Sequence, residues 1–209
     1  MIFQNRVDAG RQLAARLRSL GHEGVVVLGL PRGGVPVAAE VARALGAPLD
    51  VAVVRKLGVP TRPELAMGAI GEDGVRIIND EIVGLLRIAT GQIAQVERRE
   101  RAELRRRAEL FRAGHSRVPV AARTVVIVDD GLATGATARA ACLVVRSQGA
   151  ARVVLAVPVA PLGWEEKLGE AADEYVCLLA ADDFDAVGQF YADFTATSDE
   201  EVMECLRRP

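Results

Sequence analysis

Short apolar runs alternate along this chain with longer segments in which apolar residues return every three or four positions. Runs of the first kind predict buried strands, and the second spacing predicts helices. Strands are predicted over 25–30, 51–54, 124–128, 153–159 and 175–179. Helices are predicted over 5–20, 35–45 and 164–172, and two more are predicted from the end of the 129–137 segment to about 148 and from 198 onward. This alternation predicts an α/β fold with a mostly parallel open sheet flanked by helices.

The pattern changes between the second and third predicted strands. Residues 57–69 contain Gly58, Pro60, Pro63 and Gly68 and predict a mobile loop, and a β-hairpin that turns over 71–74 should follow. From about 80 to 112 the chain becomes helical. We therefore expect one domain over 1–209, with its core at about 20–56 and 119–180 and a large insertion over 57–118 on the rim of the sheet.

Charge and composition narrow the class of protein. Lysine and arginine together number 26 against 28 aspartates and glutamates, a formal net charge of -2, which argues against a general nucleic-acid binder. Arginine and glutamate are mixed over 97–112, where Glu97/Arg101 and Glu103/Arg107 stand four residues apart and predict a solvated helix laced with ion pairs.

The cysteines and the N-terminus bear on location. Cys142, Cys177 and Cys205 lie far apart without metal-ligand spacing, which indicates a reducing compartment and no structural zinc. No run of 18 apolar residues occurs, and the first residues lack the hydrophobic segment of a signal peptide. The expected location is the cytoplasm, with no membrane partner.

The strongest candidate site follows the strand at 124–128, where the chain reads Asp129-Asp130-Gly131-Leu132-Ala133-Thr134-Gly135-Ala136-Thr137. Small residues before a helix N-terminus expose backbone N–H groups, and these suit a phosphate. Two carboxylates beside them would repel that phosphate, so they indicate another role: accepting hydrogen bonds from sugar hydroxyls, or holding a metal through water. The segment predicts a ribose 5-phosphate site, although Asp129, Asp130 and Thr134 could also serve only as helix caps.

Two further loops at the same predicted edge suit anions. Pro31-Arg32-Gly33-Gly34 lets the backbone approach an anion closely, and the Arg32 guanidinium can bind phosphate oxygens in a fork. Arg55 and Lys56 precede a segment rich in glycine and proline and are placed to meet a charged leaving group before that segment closes over it. An ordinary turn at 31–34 and a surface basic pair at 55–56 are the plain alternatives.

The run from Val128 to Thr137 resembles the phosphoribosyl pyrophosphate (PRPP) motif of the type I phosphoribosyltransferases. The resemblance covers most of residues 24–180, and the whole chain more loosely resembles a bacterial group of predicted phosphoribosyltransferases. It implies that Asp129 and Asp130 contact the ribose hydroxyls and touch Mg2+ only indirectly, and that the backbone from Gly131 to Thr137 holds the 5-phosphate. It also implies a pyrophosphate loop at 31–34, often with a cis peptide that involves no proline, and a small hood from the chain ends, here about 181–209.

The activity implied is transfer of 5-phosphoribose from PRPP to a nitrogen acceptor, with Mg2+ as cofactor and release of pyrophosphate. Arg32, Arg55 and Lys56 would neutralise the pyrophosphate, with Arg55 and Lys56 as the catalytic cations on a loop that resembles that of the adenine enzymes. Ala133 stands where the 6-oxopurine enzymes carry an aspartate, so no carboxylate base is assigned and the acceptor stays open among purines, pyrimidines and small amines. A homodimer is the expected assembly.

Several alternatives remain at this point. The aromatic residues Phe184, Phe190, Tyr191 and Phe194 of the hood would either stack on a base or only pack the C-terminal segment. A PRPP-binding regulator without catalysis is the main alternative function, and a phosphatase that uses Asp129 and Asp130 is the second. The P-loop and G-x-S-x-G motifs are missing, which excludes a P-loop nucleotidase and a serine hydrolase. His22 and His115 receive no role.

Overall fold

A computed structural model describes residues 2–21, 23–114 and 116–207, and His22 and His115 lie outside the described residues. The strands are β1 (Val25–Gly29), β2 (Leu49–Val51), β3 (Val54–Val59), β4 (Arg62–Gly71), β5 (Arg76–Ile78), β6 (Thr124–Val128), β7 (Arg152–Pro161) and β8 (Glu174–Ala181). The α-helices are α1 (Arg6–Leu17), α2 (Gly34–Leu45), α3 (Asp80–Leu85), α4 (Thr90–Arg112), α5 (Ala136–Ser147), α6 (Trp164–Leu168) and α7 (Asp199–Arg207).

The main sheet confirms the predicted α/β class. Its five strands lie in the order β2-β1-β6-β7-β8, and every neighbouring pair is parallel. Alternate residues of β1 and β6 face opposite sides of the sheet, since Val25 and Val27 pack with α1 and α2 whereas Val26 and Leu28 pack with α5. Burial on both faces explains why these strands read as unbroken apolar runs.

The predicted loop over 57–69 is wrong. Strands β3, β4 and β5 form a separate antiparallel sheet, and most of 57–69 lies within β3 and β4. The register between β3 and β4 shifts on both sides of Gly58, and a Cβ built on Gly58 would stand 2.5 Å from the Pro63 carbonyl oxygen. Glycine and proline here allow an irregular, closely packed hairpin rather than a loop. The second hairpin, which turns at 71–74, is confirmed.

Two other boundaries also differ from the sequence-based expectation. The predicted strand at 51–54 is divided, because β2 ends at Val51 and Val54 begins β3 in the other sheet. Arg55 and Lys56 are therefore strand residues rather than the first residues after a strand. The helical stretch over 80–112 is broken between α3 and α4, where Ile88 turns inward and is only 9% exposed.

A buried ion-pair network ties the small sheet and α4 to the main sheet. Asp50 of β2 is 1% exposed and pairs with Arg112 at the end of α4. The same guanidinium donates to both carboxylate oxygens of Glu72, in the turn before β5, at 2.8 and 3.0 Å. Asp50 also accepts backbone N–H groups from Val51 and Val118 at 2.7 and 2.8 Å. One carboxylate thus ties β2 to the end of α4 and to the segment that leads into β6.

The two ends of the described chain meet over the main sheet. Phe3 forms a parallel bridge with Tyr191, and Ala192 N donates to the Phe3 carbonyl at 2.7 Å. Helix α7 begins after Ser198, whose hydroxyl and backbone exchange hydrogen bonds with Glu201, so the predicted capping box is confirmed. Among the described residues, no helix is long and apolar enough to cross a bilayer.

Candidate active site

The loops after β1 and β6 touch one another at the carboxyl edge of the main sheet. Leu30 N donates to the Val128 carbonyl at 2.8 Å, which aligns the two strand ends. A Cβ built on Gly34 would lie 2.6 Å from the Val128 oxygen, and one built on Gly33 would overlap the carboxylate of Asp130. Only glycine permits this approach, so two of the three predicted anion loops meet directly.

The first of these loops carries an unusual backbone and an exposed cation. The peptide bond between Pro31 and Arg32 is cis, as the resemblance implied. Gly33 is the N-cap of α2 and Gly34 is its first residue, so the N-terminus of this helix faces the same edge. The Arg32 side chain is exposed to solvent beside them. The loop thus presents a guanidinium and a helix N-terminus at one place, which suits an anion.

The segment 131–137 is held rigidly at its start and is open in its middle. Leu132 N donates to the Val159 carbonyl at 2.9 Å, and Gly131 packs against Val159 and Val187. Within the described part of the chain, the next three N–H groups, those of Ala133, Thr134 and Gly135, have no intramolecular acceptor. They precede the N-terminus of α5, where the helix dipole favours an anion. The geometry fits a phosphate group.

The paired acids of the motif stand in different environments. Asp130 pairs with Arg6 of α1 at 2.8 Å, and its backbone N–H donates to Asp129 Oδ1 at 2.9 Å. Burial and the negative charge of Asp130 raise the pKa of Asp129 well above its usual value. Ionisation is therefore disfavoured at Asp129, whereas the Asp130 carboxylate has the Arg6 guanidinium beside it.

The third predicted loop region forms one wall of a cleft of about 610 Å³. Arg55 and Lys56 of β3 line the cleft together with Thr137 of the phosphate-suited segment and Glu100 of α4. The cleft thus brings the cations of the small sheet alongside the N-terminus of α5, although they lie within a strand of a second sheet and not in a loop after a strand of the main sheet.

Carboxylates hold both of these cations. Arg55 donates to Glu100 Oε2 from Nε and Nη2 at 2.8 and 2.6 Å, and Lys56 Nζ lies 3.5 Å from Glu64 Oε2. Burial opposes ionisation of Glu100, but hydrogen bonds from Arg55 and Arg99 outweigh it and leave its pKa below the usual value. An anionic ligand would meet both cations already oriented by these partners.

Three residues make contacts at the site that the sequence did not predict. Arg6 and Glu100 bind the predicted residues Asp130 and Arg55, and Tyr191 donates its hydroxyl to the Asp130 carbonyl at 2.6 Å. All three lie 45 or more positions from their partners. The local sequence pattern gives no sign of the contacts of Glu100 and Tyr191. For Arg6 the one available signal is an unfavourable position, because it is a cation at the start of a helix.

The hood aromatics pack on one another. Phe184 and Phe190 have ring centroids 5.3 Å apart, and Tyr191 and Phe194 have centroids 5.0 Å apart. Phe190 and Tyr191 are buried, and Phe194 lies beneath the Arg6 guanidinium at 4.0 Å. These contacts favour packing of the C-terminal segment over the alternative that a ring there stacks on a base.

The comparisons with known proteins agree with the fold and with these loops. The family model described as the phosphoribosyl transferase domain matches residues 1–195, so the chain belongs to that family. A Mycobacterium tuberculosis protein named "Putative phosphoribosyl transferase" is 58% identical over 207 residues, which is 99% of this chain and 47% of that protein. The chain therefore spans about half the length of the curated relatives that it matches over its full extent.

Two further relatives are informative. The crystal structure of TT1426 from Thermus thermophilus is 47% identical and superposes with a TM-score of 0.91, covering 99% of this chain and 98% of that one. An adenine phosphoribosyltransferase of Kineococcus radiotolerans is 52% identical over 52 residues, which is 24% of this chain and 28% of that protein. The first similarity extends to the whole fold, and the second is local.

The acids at the strand end fit a metal only in part. Among the described residues, no group of three or more His, Cys, Asp or Glu side chains gathers as a metal cage. Asp129 and Asp130 offer the oxygen ligands that Mg2+ prefers, but Arg6 already engages one Asp130 oxygen. The donor set suits a cation that arrives with phosphate oxygens and keeps several waters, held by these acids through water or through ribose hydroxyls.

Proposed function

We propose that the chain is a Mg2+-dependent phosphoribosyltransferase that moves 5-phosphoribose from PRPP to a nitrogen of a nucleobase or related small acceptor and releases pyrophosphate. The observation that carries the proposal is that the 129–137 segment adjoins both of the other anion-suited regions. Gly33 abuts Asp130, and Thr137 shares a cleft with Arg55 and Lys56.

The roles of the residues follow from their positions. The open N–H groups of 133–135 would bind the 5-phosphate, and Asp129 and Asp130 would accept hydrogen bonds from the ribose hydroxyls. Arg32, Gly33 and Gly34 would bind the pyrophosphate from one side, with Arg55 and Lys56 on the other. Such a site would act by positioning and by neutralising charge on the leaving group as the ribose ring develops positive charge.

Mg2+ would supply Lewis-acid neutralisation of the pyrophosphate oxygens. The chain itself would orient the ribose through Asp129 and Asp130, and the β3–β4 hairpin would exclude water from the cleft. The 131–137 segment carries no carboxylate, so we assign no general base there. The local match to an adenine enzyme favours a purine among the possible acceptors.

The test of PRPP binding is thermal unfolding with and without Mg2+ and PRPP. PRPP at 100 times its dissociation constant should add about 2.7 kcal/mol to the stability of the wild type, a rise of roughly 5 to 11 °C for a chain of this size. The variant that combines Asp129→Asn with Asp130→Asn should fold but show no rise. If the wild type fails to respond at millimolar PRPP, the proposal is wrong.

The Lys56→Ala variant separates an enzyme from a PRPP-binding regulator. A cation on the leaving group should matter more in the transition state than in the ground state, so turnover should fall by more than PRPP affinity does. Pyrophosphate release should be measured across adenine, hypoxanthine, pyrimidines and small amines, with PRPP affinity measured in parallel. Absence of turnover in the wild type with every acceptor, despite PRPP binding, would favour the regulator.

We further propose that the chain acts in the cytoplasm as a homodimer. Among the described residues, Cys142 and Cys177 are free thiols, which suits a reducing compartment. Light scattering coupled to size-exclusion chromatography should give twice the monomer mass of 22.2 kDa.

A further inference from the structure

Arg6 is a cation at the wrong end of a helix. It is the first residue of α1, where the helix dipole disfavours positive charge. Asn5 already caps this helix by accepting the Asp8 N–H at 3.0 Å, so the helix start needs nothing from Arg6. The placement must be offset by contacts elsewhere.

Three contacts hold the Arg6 guanidinium. Nε donates to Asp130 Oδ2 at 2.8 Å, Nη1 donates to the Thr195 carbonyl at 2.7 Å, and Cζ lies 4.0 Å from the centre of the Phe194 ring. The side chains of Arg6 and Asp130 are only 12% and 14% exposed. A shielded pair with this many directional contacts differs from a mobile surface salt bridge.

The same contacts fix where Asp130 points. Its Oδ2 atom lies next to both Arg6 Nε and Gly33, because a Cβ built on Gly33 would overlap this oxygen and stand 3.1 Å from Arg6 Nε. Tyr191 holds the Asp130 backbone carbonyl from the hood side. Side chain and backbone of Asp130 are therefore both set by residues from the two ends of the described chain.

We propose that Arg6 is a positioning residue of the ribose subsite. It orients the Asp130 carboxylate, so that one oxygen is held by Arg6 and the other is directed to a ribose hydroxyl. It also offsets part of the repulsion between Asp129 and Asp130. This inference rests on the proposed function, and it makes docking of residues 190–195 onto α1 a condition for tight PRPP binding.

The experiment compares Arg6→Met and Arg6→Lys with wild type, using Mg2+-PRPP and inorganic phosphate as the two probes. Arg11→Met is the matched control, because Arg11 lies on the same helix, is 66% exposed and pairs with Glu40 away from the site. Dissociation constants come from calorimetry for PRPP and from thermal-shift titration for phosphate. The unfolding temperature of each ligand-free variant is recorded as well.

Arg6→Met should weaken Mg2+-PRPP by at least about tenfold and change phosphate affinity by less than about twofold, since a phosphate held by the N–H groups of 133–135 would need no contact with the Asp130 carboxylate. Arg6→Lys keeps the charge but not the planar fork. Its affinity for PRPP should therefore lie between that of Arg6→Met and that of the wild type. Arg11→Met should match the wild type with both probes.

Equal weakening of both probes, or unchanged PRPP affinity beside a lower unfolding temperature, would mean that Arg6 only stabilises the fold and would overturn the inference. If Arg6→Met does not fold, Arg6→Lys decides: a PRPP loss of at least about threefold at unchanged phosphate affinity supports the inference, and an unchanged ratio overturns it. Failure of the wild type to bind PRPP would instead refute the proposed function.

Discussion

Asp129 is the residue whose ionisation opposes folding of the ligand-free chain. Burial and the charge of Asp130 raise its pKa above the ordinary value of 3.8. The folded chain therefore keeps a proton that the unfolded chain releases, and stability falls as pH rises from about 4 through the raised pKa. A carboxylate placed at such a cost is typical of a binding site, where the ligand supplies the missing partners.

Asp129→Asn removes this penalty. Without Mg2+ or PRPP, the variant should be more stable than wild type at pH 7, and the difference should shrink toward pH 4. Urea unfolding between pH 4.5 and 8 measures it. Adding Mg2+-PRPP should reverse the order, because only the wild type gains from the ligand. A difference that stays constant with pH would contradict the assigned cause.

Gly33 is the second residue at which function restricts the side chain. In Gly33→Ala the new methyl group would overlap the Asp130 carboxylate, so the loop must shift at a cost of about 1–3 kcal/mol and PRPP affinity should fall with it. Gly91→Ala is the control, since nothing lies within 4 Å of its added Cβ in α4 and alanine favours helices. Thermal unfolding should show opposite signs for the two variants.

At the scale of elements, α4 joins the site to the scaffold. Glu100 holds Arg55 in the cleft, and Arg112, twelve residues further along, holds Asp50 and Glu72. At 1.5 Å per residue these anchors are about 18 Å apart. The helix therefore sets the position of the β3–β4 hairpin from both ends. The sequence predicted only a solvated helix over 97–112, whereas the structure gives α4 a role in holding the two sheets together.

Arg112→Met should remove the cation from a carboxylate that is almost fully buried, at a cost of about 3–5 kcal/mol. Arg106→Met is matched to it on the same helix, because Arg106 is 61% exposed and its partner Glu103 is three residues away. That variant should change stability by less than about 0.5 kcal/mol. Chemical denaturation of both variants tests the contrast, and equal losses would contradict a dominant role for the buried network.

The sequence predicted the elements whose cause is local. The apolar run of β6, the small residues after it and the Ser198/Glu201 capping box are each set by neighbouring residues. The β3–β4 hairpin was missed because Gly58, Pro60 and Pro63 weaken strand propensity, whereas pairing with a distant partner decides the outcome. The contacts of Arg6, Glu100 and Tyr191 were not predicted, because their partners come close only after the chain has folded.

At the scale of the whole molecule, the site is assembled from most of the described length. Arg6 and Tyr191 come from near its two ends, Asp130 from the main sheet, and Arg55 from the small one. The main sheet supplies phosphate-suited backbone, and the small sheet supplies cations. Binding of one ligand would thus add a bridge between two sheets that already share α5, which packs against both of them.

The lysine content gives this arrangement a chemical consequence. Lys56 and Lys167 are the only lysines in the sequence; Lys56 lies in the cleft with 21% of its side chain exposed, and Lys167 lies exposed on α6. An amine-acylating reagent should modify both, and Mg2+-PRPP or pyrophosphate should protect Lys56 alone. Peptide mass spectrometry then reads occupancy of the cleft, with Lys167 as an internal reference; equal labelling of Lys56 with and without ligand would place the leaving group elsewhere. The scarcity of lysine thus makes one amine an intrinsic reporter of the site, without any engineered label.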